Sequence, residues 1–249
     1  MSKPKKNIYL IPISILVAGI LIAGAILYSN NSGSLNKPAT TAVENNNIPS
    51  QPTFPSQPKR ADVNIKNVNI KGEPFIGKEN APVVLAYWFD FQCPFCKRFE
   101  TNTLPVLVDK YVKTGKLKIV FKDFQFLGPD SIIAAMAEKA IWELYPGKYF
   151  QWHQAMYKAQ DGENSGFGNK ADIIKLTRTI PGINADKISQ LMDKNKAEYQ
   201  KEQDTDKAEG ARFGINGTPG FIIGTQVISG AQPTDVFTQI IDAELNKVK

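Results

Sequence analysis

The chain has 249 residues, of which 42% are hydrophobic and 22% are charged, a composition that is ordinary for a globular protein. Its formal net charge is +6. Lys3, Lys5 and Lys6 supply three of those charges before residue 8, so the rest of the chain is only weakly basic. Because no stretch interleaves basic and aromatic residues, the sequence argues against nucleic-acid binding.

An apolar segment follows these lysines. Residues 8–28 contain no charged side chain and would form roughly 30 Å of helix, enough to cross a bilayer. The Ala23-Gly24-Ala25 step resembles a signal-peptide cleavage site, but the apolar run exceeds the usual signal core, which favours a retained anchor over residues 1–28. The positive charges ahead of it predict a cytoplasmic N-terminus with the rest of the chain outside. We therefore expect a single-pass protein of the cell membrane.

The next segment differs in composition. Residues 29–60 are rich in Asn, Ser and Pro and show no hydrophobic period, which predicts a flexible linker. Residues 61–249 are then expected to form one domain. At its start, residues 62–72 alternate apolar and polar side chains, which predicts a short half-buried strand interrupted by a bulge or turn.

A strand–helix–strand pattern follows. The uninterrupted apolar run of residues 83–90 is typical of a central strand that is covered on both faces. Helical spacing from Phe95 to Tyr111 predicts a helix that Pro105 interrupts and that ends near Gly115. Residues 116–124 alternate apolar side chains with lysines and predict another strand, which completes a βαβ unit.

The remaining elements indicate the fold class. Residues from about 129 to 210 show no strand pattern and predict a helical insertion. Two short apolar segments, Phe221–Ile223 and Val227–Ser229, then flank a Gly-Thr turn and predict an antiparallel hairpin, and an amphipathic helix follows Pro233. This order predicts an α/β protein with a mixed central sheet and an inserted helical subdomain. The candidate helices of the insertion span residues 130–145, 147–160, 170–180 and 184–209.

Two cysteines, Cys93 and Cys96, come directly after the apolar run. A structural zinc site needs four ligands, which two cysteines and one histidine do not supply, so no metal is expected. A structural disulfide is also poorly placed, because its stabilising effect grows with the length of the loop that it closes. A redox-active pair is the third interpretation, and the expected extracytoplasmic setting permits disulfides.

The position of the pair supports the third interpretation. Cys93 is expected where the strand ends and the helix begins, so that its sulfur faces unpaired backbone N–H groups and the positive end of the helix dipole. Both effects favour the thiolate and lower the pKa of Cys93. Pro94 suits the first helical turn, where its missing N–H costs nothing. We expect Cys96 one turn onward and deeper, beneath Phe95 and Phe99, close enough to form a disulfide with Cys93.

These residues carry a family resemblance. The stretch "FDFQCPFCKRFE", with "NGTPGFIIG" about 120 residues later and a helical block between them, resembles the DsbA-like thiol–disulfide oxidoreductases. The resemblance covers about residues 61–249 and implies a thioredoxin fold with a helical insertion and no cofactor beyond the cysteine pair's own disulfide. It also implies that the Thr218–Pro219 bond is cis and that Pro219 faces the sulfurs, which would expose the Thr218 backbone to an extended substrate. The candidate substrate-binding residues are Thr218, Pro94 and Phe95.

Other residues near the motif admit more than one interpretation. Asp90 is either a carboxylate of raised pKa that relays the proton of Cys96, or a backbone-bonded aspartate at a strand end. His153 is expected to be packed or hydrogen-bonded rather than catalytic. Phe95 stands where the Cys-Pro-His-Cys version of the motif has histidine, so we expect a less strongly oxidising disulfide. The residues that form either an apolar rim for unfolded chains or part of the core are Trp88, Phe91, Phe95 and Phe221.

The sequence as a whole predicts a membrane-tethered, extracytoplasmic oxidase that transfers its Cys93–Cys96 disulfide to folding, cysteine-containing polypeptides. The resemblance implies that a quinone-linked membrane protein reoxidises the pair. A reductase or isomerase on the same scaffold stays open, because the direction of exchange follows the reduction potential. A tethered chaperone or peptide-binding module that ignores redox state is the alternative from another functional class.

Overall fold

The computed structural model describes residues 63–163 and 165–248. The predicted anchor over residues 1–28 and the predicted linker over residues 29–60 lie outside this part of the chain. Within the described residues, no helix combines the length and the apolar character needed to cross a membrane.

A mixed sheet organises the described residues, with the strand order β1-β3-β2-β4-β5. Strand β2 runs parallel to β3 and antiparallel to β4, so it lies at the centre of the sheet. Every residue of β2 is buried except Val84, which is half-buried, as its continuous apolar run predicts. The outer strands β1 and β5 pair antiparallel with β3 and β4. The strands are β1 (Phe75–Ile76), β2 (Val83–Phe89), β3 (Leu117–Asp123), β4 (Gly220–Ile223) and β5 (Gln226–Ser229).

The prediction of a strand within residues 62–72 is wrong. The chain there forms one turn of 3₁₀-helix, Ile65–Asn67, whose first N–H groups are capped by the Asn64 side chain through the N–H of Lys66. The apolar residues of this segment instead pack against the sheet face that carries Trp88. The strand at this edge of the sheet is β1, whose two residues are too few to show a period.

The connection between β2 and β3 is helical and interrupted, as Pro105 predicts. Helix α1 (Pro94–Asn102) ends at Thr103, a short helix α2 (Leu104–Leu107) contains the proline in its first turn, and one π-helical stretch (Val108–Val112) follows. Because β2 and β3 are parallel, the βαβ unit is confirmed.

The segment predicted as a helical insertion contains helices joined by turns and loops, and no strand among its described residues, with one correction to the predicted helices. The single helix predicted over residues 184–209 is two helices separated at Asn195, a residue type that competes with the helix by bonding the backbone locally. Asn169 and Asn184 cap the helices that follow them, and each side chain accepts two backbone N–H groups. The helices are α3 (Pro129–Leu144), α4 (Tyr149–Ala159), α5 (Lys170–Arg178), α6 (Ala185–Lys194), α7 (Lys196–Arg212) and the C-terminal α8 (Thr234–Lys247).

Alternate residues of β2 point to two apolar layers. Tyr87 and its neighbours on that face pack with α1, α4 and α8 in the larger core, whereas Trp88 packs on the other face with Phe213. The Trp88 indole donates to the Asp206 carbonyl at 3.0 Å. A Cβ added to Gly210 would lie 2.8 Å from the same indole nitrogen, so glycine permits the close approach of α7 to the sheet.

The lysines of β3 are buried rather than solvated. Lys122 of β3 pairs with Asp206 at 2.5 Å and with Glu73 at 2.9 Å. Lys139, on the neighbouring helix α3, pairs with Glu73 at 3.1 Å and with Asp123 at 3.3 Å. Burial raises the pKa of Glu73 to about 7 and the pKa of Asp123 to about 6, although the lysines oppose this shift. Ionising Glu73 and Asp123 therefore costs more free energy in the folded protein than in the unfolded chain.

This ionic cluster predicts a pH-dependent stability. A carboxyl whose pKa is raised by folding contributes stability below its ordinary pKa, and that contribution is lost as pH rises through the folded value. For Glu73 the window runs from 4.5 to about 7. We expect the free energy of unfolding of the oxidised protein, measured by urea denaturation, to fall across this window. The variant Glu73→Gln should flatten the decline by up to about 1.4 kcal/mol per pH unit. A free energy of unfolding that rises from pH 5 to pH 7 would contradict the assignment.

Candidate active site

The two cysteines lie where β2 gives way to α1. Cys93 is the N-cap residue of α1 in an extended conformation, and Pro94 occupies the first helical turn. The Cys93 carbonyl accepts the N–H of Lys97 at 3.1 Å, which begins the helix. Both cysteines are free thiols and both are buried, Cys96 completely. The predicted placement of the pair at a helix start is confirmed.

The surroundings of Cys93 stabilise its thiolate. The pKa of Cys93 is lowered from 9.0 to about 6, chiefly by a hydrogen bond from the Cys96 thiol. Burial opposes this shift, while the backbone N–H groups of Cys96 and Phe95 support it. At neutral pH the sulfur of Cys93 is therefore mostly ionised.

Cys96 has the opposite character. Burial raises the pKa of Cys96 well above 9.0, and the neighbouring Cys93 raises it further. The thiol of Cys96 thus keeps its proton while Cys93 loses its own. Phe99 packs in the same core as Cys96, as predicted, but Phe95 does not cover it, because Phe95 projects into solvent with 54% of its surface exposed.

The loop before β4 completes the site. The Thr218–Pro219 peptide bond is cis, as the resemblance implies. The Cys93 sulfur lies 3.4 Å from the Thr218 carbonyl oxygen, so residues 125 positions apart in the chain meet here. The Pro219 carbonyl accepts the N–H of Gly230 at 2.8 Å, which ties the cis-proline loop to the end of the β4–β5 hairpin.

Asp90 combines features of both interpretations. One carboxylate oxygen accepts the N–H of Gln92 at 2.8 Å, and the other accepts the N–H groups of Phe126 and Leu127 at 3.1 and 3.3 Å. These are the contacts of a backbone-bonded aspartate that joins the end of β2 to the loop after β3. Burial nevertheless raises the pKa of Asp90, despite the lowering effect of these hydrogen bonds. The proton-relay role of Asp90 stays a prediction.

His153 is packed, as expected. It is fully buried, with Nε2 at 2.9 Å from a Glu100 carboxylate oxygen and Nδ1 at 3.3 Å from the Tyr149 hydroxyl. The contact with Glu100 joins α4 to α1, while the contact with Tyr149 lies within α4.

Most of the proposed apolar rim belongs to the core. Trp88, Phe91 and Phe221 are buried, and Phe95 alone of that set is exposed. A second exposed aromatic, Phe126, is 48% accessible and follows β3. The sequence analysis did not single out Phe126. Its position could have been inferred from the βαβ unit, because the residues that follow two parallel strands lie at the same edge of the sheet.

A cavity of about 600 Å³ opens beside the cysteine pair. Its lining includes Phe95 and Thr218 on one side and the loop of residues 230–234 on the other. Arg98 crosses between them, because its guanidinium lies 5.1 Å from the centre of the Phe95 ring and donates to the Ala231 carbonyl at 3.0 Å. No sequence pattern predicts this cavity, because its two walls are far apart in the chain.

Comparison with known proteins agrees with this geometry. A protein-family model described as Thioredoxin matches residues 69–243. The chain belongs to this family. It is also similar to disulfide bond formation protein D of Bacillus subtilis, with 26% identity over 71% of this chain and 79% of that protein. A putative protein-disulfide oxidoreductase of Rickettsia felis is 22% identical over 92% of this chain and 86% of its own length.

Solved structures of the same kind share the fold. BdbD from Bacillus subtilis, in its oxidised form, has a TM-score of 0.66 at 24% identity and covers 71% of this chain and 95% of its own. The thiol–disulfide exchange protein α-DsbA2 from Wolbachia pipientis has a TM-score of 0.60 at 27% identity, over 69% of this chain and 86% of its own. This member of the thioredoxin family is therefore a thiol–disulfide oxidoreductase of the DsbA-like type, and the predicted α/β thioredoxin-like fold with its mixed sheet is confirmed.

No metal site accompanies the redox pair in the described part of the chain, where no group of three or more His, Cys, Asp or Glu side chains is placed to hold an ion. The expectation that the Cys93–Cys96 disulfide is the sole redox group stays a prediction.

Proposed function

We propose that this protein introduces disulfide bonds into folding polypeptides outside the cytoplasm through the Cys93-Pro-Phe-Cys96 pair. The observation that carries the proposal is the placement of Cys93 at the N-terminus of α1, 3.4 Å from the Thr218 carbonyl, with Cys96 fully buried behind it. This placement lowers the pKa of Cys93 and raises that of Cys96. A stabilised Cys93 thiolate stabilises the dithiol form of the protein, and stabilising the dithiol makes the disulfide a better oxidant.

The reaction transfers two electrons from substrate to protein. A substrate thiolate attacks the Cys93 sulfur, the Cys93–Cys96 bond breaks, and its electron pair passes to Cys96, which takes up a proton because of its raised pKa. A second substrate thiolate then attacks the substrate sulfur of the mixed disulfide. Cys93 leaves as a thiolate, which its lowered pKa favours. The substrate gains a disulfide and the protein holds a dithiol.

The substrate-binding surface follows from the same geometry. The backbone of Thr218 offers an edge on which an extended substrate segment adds as a strand beside Cys93. Pro94 and Phe95 are exposed next to that edge, and the cavity behind Phe95 accommodates a side chain adjacent to the substrate cysteine. Pro219 directs the Thr218 carbonyl toward the sulfur.

The cellular setting of this proposal rests on the N-terminal sequence. Residues 1–28 anchor the protein in the cell membrane, residues 29–60 form the tether, and residues 61–249 act on the extracytoplasmic side. A quinone-linked membrane protein would then remove the electrons from the dithiol. The name of the Bacillus subtilis relative, disulfide bond formation protein D, agrees with the oxidase direction.

The equilibrium reduction potential of the pair tests the direction of exchange. We expect a potential clearly more oxidising than the value of about −270 mV found for thioredoxin, because the Cys93 thiolate is stabilised. The measurement is equilibration with reduced and oxidised glutathione at pH 7, followed by separation of the dithiol and disulfide forms. A potential at or below that of thioredoxin would assign the protein as a reductase.

A further inference from the structure

The loop that carries Cys93 is held from outside the sheet by the helical insertion. The Tyr157 hydroxyl, on α4, donates to the Asp90 carbonyl at 3.2 Å. The Gln160 amide, at the C-terminal end of α4, donates to the Phe91 carbonyl at 2.6 Å and to the Cys93 carbonyl at 3.1 Å. Carbonyl groups of three residues in the loop from residue 90 to residue 93 are thus held by two side chains of one helix end.

Gln160 itself is rigidly placed. It is 4% exposed and is the C-cap residue of α4, with its N–H donating to the Met156 carbonyl at 3.0 Å. Its own carbonyl accepts the Lys97 ammonium group, so α1 also binds this residue. An amide with a buried, well-held position keeps its dipole in one orientation, and here the N–H end of that dipole faces the Cys93 backbone.

The hydrogen bonds of Gln160 act on the residue that sets the chemistry. Cys93 is the N-cap of α1, and its sulfur reaches both the Thr218 carbonyl and the first N–H groups of the helix because its backbone is extended at that point. A rotation of the Cys93 peptide would move the sulfur away from the helix N–H groups that stabilise its thiolate. We propose that Gln160 is a positioning residue for thiol–disulfide exchange, which holds the Cys93 peptide so that its sulfur faces the Thr218 carbonyl and the N-terminus of α1. The helical insertion therefore contributes to the reactivity of Cys93 as well as to the packing of the domain.

The chain offers a matched control in Gln203. This second buried glutamine, 2% exposed on α7, donates its amide to the Ile132 carbonyl of α3 at 3.3 Å. In both glutamines the amide oxygen lacks a hydrogen-bond partner among the described residues. The two side chains therefore match in burial and in bonding type, but of the two only Gln160 bonds the loop of residues 90–93.

The experiment compares Gln160→Met with Gln203→Met in the full-length protein. Methionine keeps the length of the side chain and removes the amide donors. The readouts are the pKa of Cys93, followed by thiolate absorbance and by the rate of alkylation against pH, and the equilibrium constant with glutathione. We expect Gln160→Met to raise the pKa of Cys93 by roughly one unit and to shift the equilibrium about fivefold toward the disulfide at pH 7.

The control separates positioning from general stability. Gln203→Met should lower the melting temperature to a similar extent and leave the pKa of Cys93 and the glutathione equilibrium unchanged. Gln160→Asn retains an amide that is too short to bond both carbonyls, and it provides the same comparison if Gln160→Met does not fold. If either folded Gln160 variant keeps the wild-type pKa of Cys93 and the wild-type equilibrium constant, the positioning role is refuted and Gln160 is only structural.

Discussion

Replacing Cys93 with serine is expected to reduce disulfide formation in a reduced, unfolded substrate to the uncatalysed rate. The serine hydroxyl does not ionise near neutral pH and forms no disulfide, so neither a mixed disulfide nor the Cys93–Cys96 bond can form. Replacing Cys96 with serine should have a different effect. The variant loses the Cys96 thiol that chiefly lowers the pKa of Cys93, but the N–H groups at the start of α1 still favour the Cys93 thiolate. It also loses the thiol that could release a bound partner by re-forming the Cys93–Cys96 disulfide. This variant should accumulate covalent complexes with substrate.

The two serine variants are matched, since each removes one sulfur from the same helical turn. The measurements are the rate of recovery of activity by a reduced test protein in oxidised glutathione, and non-reducing electrophoresis of the complexes. Thiol oxidation faster than the uncatalysed rate in Cys93→Ser would refute the assignment of Cys93 as the attacked sulfur. Complexes that also form in a Cys93→Ser, Cys96→Ser double variant would show that the covalent bond does not involve this pair.

The reduction potential of the pair should change its dependence on pH near pH 6. Below the pKa of Cys93, reduction of the disulfide takes up two protons with two electrons, and the potential should fall by about 59 mV per pH unit. Above about 6 the Cys93 thiol is ionised while Cys96 keeps its proton, so one proton accompanies two electrons and the slope should halve to about 30 mV per unit. Equilibration with glutathione from pH 5 to pH 9 measures both slopes.

The variant Phe95→His provides a control for this interpretation. Phe95 is exposed between the cysteines, so histidine fits there without repacking the core. A protonated imidazole and its N–H groups would stabilise the Cys93 thiolate further, and we expect the change of slope to move below pH 6 and the potential to become more oxidising. A single slope of about 59 mV per unit up to pH 8 in the wild-type protein would contradict the lowered pKa of Cys93.

Much of the site could be predicted because it depends on neighbours in the chain. The continuous apolar run of β2 indicates burial on both faces, and Pro94 indicates the start of α1, so the position of Cys93 at a helix N-terminus follows from adjacent residues alone. The hairpin of β4 and β5 could also be predicted from adjacent residues, because a Gly-Thr turn separates its two strands. The cis bond at Pro219 came from the resemblance of a whole motif rather than from any local rule.

The sequence by itself thus determined the class of fold, the redox pair and the helix end that activates it, because these depend on hydrophobic period and on residues a few positions apart. Only the tertiary structure decided which distant groups bond the pair. Gln160 and Thr218 reach Cys93 across 67 and 125 positions. Tertiary contacts also placed Lys122 of β3 in a buried ion-pair cluster, although the alternation of apolar residues and lysines in this strand indicates that the lysines face solvent. A local pattern records which face of an element is apolar, whereas hydrogen bonds and ion pairs between distant elements depend on how those elements pack.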